Sequence, residues 1–181
     1  MHQSTEALQN RLAHVCAAPG DAGTLEMVVS RPVPEDRAVL ESGRLDAAVG
    51  LVGDNWLERG SSSTPDGASE PERQLTVMSA RFVDLIAGDR TRWALAGDQL
   101  YVDLDLSEEN LPAGTRLAIG DAVIEVTAAP HLGCAKFVDR FGADAMRLVN
   151  SPQGRALRLR GLHARVVHDG DIRPGDTVTK R

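Results

Sequence analysis

The sequence predicts a β-barrel with a few peripheral helices, and three observations carry this prediction. Short segments rich in valine, isoleucine and leucine alternate with turns that contain glycine and proline. Long helical patterns are few, and strand and helix patterns do not alternate as a doubly wound parallel sheet requires. Hydrophobic residues make up 42% of the chain and aromatic residues only 3%, so the core must be aliphatic. We expect a single domain over residues 1–181.

Composition argues against several classes of partner. The net charge is −6 with both signs interspersed, whereas a nucleic-acid-binding surface needs concentrated basic residues. No apolar run approaches the roughly 20 residues of a membrane span, and the polar N-terminal segment is unlike a secretory signal. The two cysteines, Cys16 and Cys134, are too few for a disulfide scaffold. We therefore expect a cytoplasmic protein with free thiols that binds neither nucleic acid nor membrane.

The first elements are a helix, a strand and a long loop. Residues 4–18 have helical spacing, and their apolar side chains share one face. Residues 24–30 are β-branched and apolar, which predicts a strand. The stretch at about 59–73 is rich in serine, glycine and proline, which predicts a mobile loop. Loops of this length are often lids or binding loops, and a tolerated surface insertion explains the composition equally well.

The middle of the chain predicts short strands. Residues 74–79 form one, and residues 81–87 form a short helix. Apolar and polar residues alternate over 99–106, as in a half-buried strand. Two further runs within 115–127 flank Gly120-Asp121, the pattern of a tight β-hairpin.

A helix and a long strand follow. Residues 134–149 have helical spacing, and Gly142 is expected to divide them into two short helices. Residues 156–167 alternate like a strand, and a shift in parity predicts a β-bulge at Gly161. Three arginines alternate along or beside this strand and form either a solvated face or an anion clamp; they are Arg155, Arg158 and Arg160.

Cys134 is the first candidate for chemistry. It follows a turn and opens a helical pattern, where free N–H groups and the helix dipole favour a thiolate. His131, Lys136 and Arg140 lie nearby and favour the same form, and Gly133 lets the backbone approach a ligand closely. A buried structural cysteine is an equally good interpretation from spacing alone. Packing is the better interpretation for Cys16.

Two other interpretations of Cys134 follow from its surroundings. His131-x-x-Cys134 resembles half of a zinc site, but no second pair of ligands follows at a suitable spacing. A papain-like hydrolase would use Cys134 as the nucleophile and His163 or His168 as the base, although no local motif supports that activity.

Three motifs in order resemble the MOSC family, which is named for the C-terminal domain of molybdenum cofactor sulfurase. They are the strand start at Gly97-Asp98, the turn Leu111-Pro112-Ala113-Gly114-Thr115, and the run Pro130-His131-Leu132-Gly133-Cys134-Ala135-Lys136-Phe137. The glycine before the cysteine and the Lys-Phe pair after it are similar to small stand-alone bacterial members. The resemblance implies a MOSC-type barrel like the β-barrel domain of pyruvate kinase.

The resemblance also implies a function. It suggests that Cys134 ligates the molybdenum of a bound molybdenum cofactor (molybdopterin) or carries sulfur, in a reductase of N-hydroxylated compounds or a sulfur transfer protein. A small-molecule substrate and a separate electron-donor or sulfur-donor protein are then expected. Nothing in the sequence supports pyridoxal phosphate. The candidate cofactor-binding residues are His131, Gly133, Lys136, Arg140, Arg155 and Arg158.

The sequence also departs from the family pattern. Gly53-Asp54-Asn55-Trp56 stands where the family often has Gly-Asp-x-His, so a histidine is missing. The chain carries no iron–sulfur cysteine set and no flavin motif. These departures favour an alternative, in which the same barrel is a non-catalytic binding module for an anionic ligand.

Overall fold

The structure is a computed structural model that describes residues 3–181. Within these residues the helices are α1 (Thr5–Asn10), α2 (Leu12–Cys16), α3 (Trp56–Arg59), α4 (Ala80–Ala87), α5 (Ala135–Asn150) and α6 (Pro152–Ala156). Short 3-10 helices cover Pro71–Arg73 and Arg90–Ala96. The strands are β1 (Ala22–Ser30), β2 (Ala38–Leu40), β3 (Gly43–Asp46), β4 (Gly50–Leu51), β5 (Leu75–Ser79), β6 (Leu100–Asp103), β7 (Arg116–Ile119), β8 (Ala122–Val126), β9 (Leu162–His168), β10 (Gly170–Ile172) and β11 (Thr177–Lys180).

Seven strands close into a barrel, which confirms the predicted fold class. Their order is β1-β6-β5-β9-β8-β7-β11, and β11 returns to pair with β1. The β5–β6 pair is parallel and the other neighbours in the barrel are antiparallel. Strand β2 extends β1 beyond the barrel, and β10, β3 and β4 form a separate small sheet.

Alternation along the strands divides the apolar side chains between two clusters. One cluster takes residues from all seven barrel strands and fills the interior, with Leu75 and Val77 of β5 among them. The other joins the barrel wall to the helices, and Met78 of β5 packs there with Phe82, Phe137 and other helical residues. The helices therefore cover one side of the barrel, and α5 lies on that side.

The local sequence explains how these helices begin. The predicted helix over residues 4–18 is present, but it is divided at Arg11 into α1 and α2. Ser4 caps α1, because its hydroxyl accepts a hydrogen bond from the Ala7 N–H at 3.3 Å. Ser79 caps α4 in the same way at Phe82, and Gly88 ends α4 in a left-handed conformation.

Helix α5 is divided at Gly142, as the sequence predicts. Gly142 has φ 90° and ψ 164°, a conformation that only glycine adopts readily, so the helix changes direction there. The first half carries Lys136 and Arg140, and the second half packs Ala145 and Leu148 against the core. Because of the kink, the first half of α5 carries residues at the surface and the second half packs in the core.

The predicted strand over residues 156–167 is wrong in its first half. Ser151 caps a helix by accepting from the Gly154 N–H at 3.0 Å, and Pro152 occupies the first turn of α6. This capping signal prevails over the weak alternation of the arginines. The strand begins only at Leu162, and the β8–β9 register shifts between Val123 and Ile124 rather than at Gly161.

The stretch at 59–73 contains the end of α3, an irregular segment and the 3-10 helix Pro71–Arg73. Ser69 anchors its second part, since the Ser69 hydroxyl bonds the carbonyls of Trp56 and Leu57. None of the helices in residues 3–181 has the length and apolar composition that a membrane crossing requires.

Candidate functional site

Cys134 lies immediately before α5 and its thiol is exposed. Its backbone is extended at the N-cap position, so the thiol stands at the beginning of the helix. The preceding Gly133 packs directly against the Met146 side chain, and a Cβ at this position would overlap the Met146 sulfur. A larger residue at position 133 would therefore have to displace the Met146 side chain.

Cys134 opens into a basic cavity of about 240 Å³, which we call the thiol pocket. Residues from five separate parts of the chain form its wall. They are Arg31, Val33, Pro34, Glu35, Arg37, Asn55, Arg59, Ala96, Gly97, Cys134, Lys136, Phe137, Arg140 and Arg160. Lys136, Arg140 and Cys134, which are close in sequence, thus lie in one pocket. Three arginines from an earlier part of the chain lie there too; they are Arg31, Arg37 and Arg59.

The thiol pocket is strongly cationic. Six of its residues are arginine or lysine, and among the described residues Glu35 supplies the only carboxylate in its lining. Burial lowers the pKa of Arg37, and the neighbouring Arg140 and Arg31 lower it further. Burial and Arg31 likewise lower the pKa of Arg59. The cations disfavour one another, so an anionic ligand would be attracted to the pocket.

Three consecutive carbonyls hold three of these arginines in place. They lie at the C-terminal end of the 3-10 helix Arg90–Ala96, where carbonyls lack partners within the helix. Leu95 O accepts from Arg140 at 2.8 Å, Ala96 O accepts from Arg160 at 3.1 Å, and Gly97 O accepts from Arg31 at 3.2 Å. These guanidinium groups are therefore fixed before any ligand arrives.

Asp54 positions Arg31 from behind the pocket. Its side chain is fully buried and accepts from Arg31 Nε at 2.9 Å and from Nη2 at 2.8 Å. Gln99 Nε2 also donates to Asp54, at 3.0 Å. The motif Gly53-Asp54-Asn55-Trp56 therefore contributes to the pocket twice, because Asn55 lies in its wall.

Three polar atoms around the pocket are buried without a hydrogen-bond partner among the described residues. They are Arg37 Nε, Asn55 Oδ1 and Arg160 Nε. Asn55 is 8% exposed and Arg160 is 7% exposed. Unsatisfied buried polar atoms are costly in a folded protein, so their concentration here fits a pocket that is completed by a polar ligand. The ligand would have to offer both acceptors and a donor.

A buried ion network forms the floor beneath Arg160. Asp98 is fully buried and accepts from Arg160 Nη1 at 2.7 Å and bonds His131 Nε2 at 2.8 Å. Burial raises the pKa of Asp98, but Arg160 and His131 outweigh it and lower this pKa to about 2. Burial lowers the pKa of His131, so we assign a neutral ring that donates Nε2–H to the carboxylate.

The remaining predicted site residues lie elsewhere. His131, Arg155 and Arg158 line a second cavity of about 360 Å³, which shares Arg160 with the thiol pocket. Arg155 belongs to α6 and is exposed. The Arg158 guanidinium donates to Leu106 O at 3.4 Å and to Leu111 O at 2.6 Å. Of the three arginines expected on one strand, Arg160 alone reaches the thiol pocket.

The structure bears on the two other interpretations of Cys134. None of the described residues that line the thiol pocket is a histidine, and His163 is buried with Nδ1 bonded to Ala129 O at 3.2 Å. A papain-like pairing with Cys134 is therefore not supported. Within residues 3–181, no three histidine, cysteine or acidic side chains are grouped as a metal site would require.

The sequence matches a known family model. The model described as MOSC domain matches residues 65–179, which is more than half of the chain. The chain belongs to the MOSC domain family. In this MOSC protein, the matched range includes Cys134 and Arg160, whereas Arg31, Arg37 and Arg59 precede it.

Solved structures agree with this MOSC fold. The YuaD protein from Bacillus subtilis is 14% identical with a TM-score of 0.62, over 88% of this chain and 95% of that one. YiiM from Escherichia coli is 18% identical with a TM-score of 0.54, over 87% and 69% of the two chains. YiiM from Geobacillus stearothermophilus is 12% identical with a TM-score of 0.52, over 91% and 74%. These low identities show the fold alone, and no curated protein matches the MOSC chain.

Proposed function

We propose that this MOSC protein binds a molybdenum cofactor in the thiol pocket, with Cys134 as the metal ligand or as a sulfur carrier. One observation carries the proposal: the exposed Cys134 thiol shares a single pocket with six cationic side chains. A soft thiolate suits a transition metal or a transferable sulfur. The surrounding cations suit the phosphate that the cofactor carries.

The residues of the pocket fit such a group. Arg31, Arg140 and Arg160 are held by backbone carbonyls, so their guanidinium groups are already in position to bind the phosphate. The unpartnered Asn55 Oδ1 would accept an N–H from the pterin ring. Phe137 lies against Arg160, with 5.2 Å from the guanidinium carbon to the ring centroid, and so supports that arginine from the side.

Each reactive role then falls to a named group of the chain. Cys134 Sγ would hold the metal at the N-terminal end of α5, and the cationic side chains of the pocket would orient the cofactor relative to that metal. Bound molybdenum would supply two-electron redox chemistry. We infer a small N-hydroxylated substrate with a separate electron-donor protein, or a sulfur-donor protein if Cys134 carries sulfur. Both cysteines are free thiols, which suits the cytoplasmic setting that we also infer.

A second candidate function is a binding module for an anionic ligand that performs no redox chemistry. The motif Gly53-Asp54-Asn55-Trp56 favours it, because Trp56 stands where the family often has a histidine. The cationic wall alone is sufficient for this activity, and Cys134 would then be dispensable. The two candidates therefore differ in what they require of the thiol.

Metal analysis of the purified protein tests the leading proposal. Protein from a host that makes molybdenum cofactor should contain molybdenum, and Cys134→Ser should abolish it, because serine offers no soft sulfur ligand. Cys16→Ser is the matched control, since Cys16 is also an exposed thiol but lies on α2 away from the pocket. Its metal content should equal that of the wild type.

Two outcomes would decide against this proposal. Wild-type protein free of molybdenum from such a host would contradict it, and binding of phosphate by the same protein would then favour the anion-binding module. Molybdenum retained by Cys134→Ser would show that the thiol is not the ligand.

A further inference from the structure

Glu35 is an acidic residue in a cationic pocket. Its carboxylate pairs with Arg140 Nη2 at 2.9 Å and with Lys136 Nζ, so it bridges two cations of α5. The side chain of Glu35 is 57% exposed, and it lies in the loop between β1 and β2. Lys136, Arg140 and Arg37 all lower the pKa of Glu35, so the carboxylate is charged where an external anion would be expected.

The backbone at Glu35 is in an unusual conformation. Its φ is 67°, in the left-handed region that disfavours residues with a Cβ, and glycine would adopt it more easily. Such conformations persist when the surroundings hold them and are concentrated at functional sites. In this conformation the Glu35 carboxylate reaches both Lys136 and Arg140 in the lining of the pocket.

Glu35 satisfies only part of the pocket. It contacts the cations of α5, but Arg37 Nε, Arg160 Nε and Asn55 Oδ1 remain without partners among the described residues. The Glu35 carboxylate therefore occupies the part of the anion site that Lys136 and Arg140 form. The three buried polar atoms are left for a bound ligand.

We propose that Glu35 is an internal competitor that occupies the anion site of the thiol pocket until an external anion, above all a phosphate dianion, displaces it. The inference rests on the proposed function only in assuming that the pocket binds an anion. A monoanion gains no more from Lys136 and Arg140 than Glu35 already does. A phosphate dianion gains more from the same two cations, so it can displace the carboxylate and reach the deeper atoms.

The dissociation constants of inorganic phosphate and of acetate test this inference. They are measured by titration at constant ionic strength, because salt screens exposed ion pairs. In Glu35→Gln, phosphate should bind about fivefold more tightly than in the wild type, the size expected for a lost exposed ion pair. Acetate should gain by a similar factor, because both anions have to displace the same carboxylate.

Two further variants complete the design. Glu41→Gln removes the same charge from an exposed position outside the pocket lining and should bind both anions like the wild type. Glu35→Gly removes the carboxylate and relieves the φ of 67°, so it should fold normally and bind phosphate at least as tightly as Glu35→Gln.

Unchanged phosphate affinity in both Glu35 variants would overturn the inference while leaving the proposed anion site intact. Equal gains for phosphate in Glu35→Gln and Glu41→Gln would also overturn it, since net charge would then explain the effect. If neither the wild type nor any variant binds phosphate, the anion site itself is wrong and the inference fails with it.

Discussion

His163 and His131 are neutral because they are buried together. Their ring centroids lie 4.6 Å apart, and His163 is 6% exposed. Burial and the neighbouring His131 lower the pKa of His163 to about 3. In the unfolded chain this pKa returns to about 6.5. The unfolded state therefore binds a proton between these two values that the folded state does not, and stability must fall as the pH is lowered through that range.

The substitution His163→Gln tests this linkage. Through His163, the free energy of unfolding of the wild type should fall by roughly 2 to 3 kcal/mol between about pH 7 and about pH 4.5. The total fall over this range should be smaller in the variant by the same amount. Glutamine places a polar side chain of similar size at this position and does not titrate in this pH range. Urea unfolding at both pH values measures the difference.

His168→Gln provides the matched comparison, because His168 is exposed at the end of β9. Its pH dependence should follow that of the wild type. Identical acid sensitivity in His163→Gln and the wild type would contradict the assignment of a buried neutral ring to His163.

At the scale of elements, the thiol pocket depends on how two helices end and bend. The 3-10 helix Arg90–Ala96 presents its last carbonyls to Arg140, Arg160 and Arg31. Helix α5 bends at Gly142 so that its first half faces this helix end. Neither element binds an anion by itself, and the site arises where the two meet.

The substitution Gly142→Ala should destabilise the protein by about 1 to 3 kcal/mol, because alanine strongly disfavours a φ of 90° with a ψ of 164°. Thermal or urea unfolding measures this cost. Gly20→Ala is the control, since a Cβ there would meet Asn110 Oδ1 at an ordinary 3.6 Å and its φ is not positive. A Gly142→Ala protein as stable as Gly20→Ala would show that the kink is not strained by a side chain.

The elements that the sequence predicted correctly are those with a local cause. The β7–β8 hairpin follows from Gly120-Asp121, and the division of α5 follows from Gly142. The predicted strand over residues 156–167 is wrong up to residue 161, because the Ser151 cap starts α6 just before it and prevails over the alternating pattern. Local patterns cannot decide such a competition, since tertiary packing of Gly154 against Leu148 contributes to the outcome.

The site was predicted only in part for a related reason. Cys134, Lys136 and Arg140 are adjacent in sequence, and their shared pocket follows from one helix start. Arg31, Arg37 and Arg59 were missed because only the fold brings the β1–β2 loop and α3 to the same cavity as the start of α5. Asp54 and Asn55 carried a signal in the Gly53-Asp54 motif, but their contact with Arg31 is a long-range one.

At the scale of the whole molecule, one seam closes the barrel. Residues 22–24 of β1 pair with residues 177–179 of β11, and β11 also pairs with β7. Val178 of β11 is fully buried in the interior cluster. Without β11, the facing edges of β1 and β7 would both be unpaired and the interior would be open to water.

A variant that ends at Asp176 should therefore lose cooperative unfolding, because the closure and the Val178 contacts are removed together. Tryptophan fluorescence during urea denaturation measures this through the buried Trp56 and Trp93. A variant that ends at Lys180 loses the exposed Arg181 and its backbone hydrogen bond to Arg116 O, but it keeps the pairing of β11 with β1 and should still unfold cooperatively. Wild-type cooperativity in the shorter variant would show that the barrel does not need its seam.

The pairing of β1 with β11 also sets the order in which the barrel and the pocket can form during synthesis. A chain leaves the ribosome from its N-terminal end, so β1 emerges long before β11 and must wait for it. All the residues of the thiol pocket lie between these strands in the sequence and emerge while the barrel is still open. Their final arrangement is reached only after β11 has emerged, and loading of a ligand into the finished pocket is accordingly a step that follows the emergence of β11.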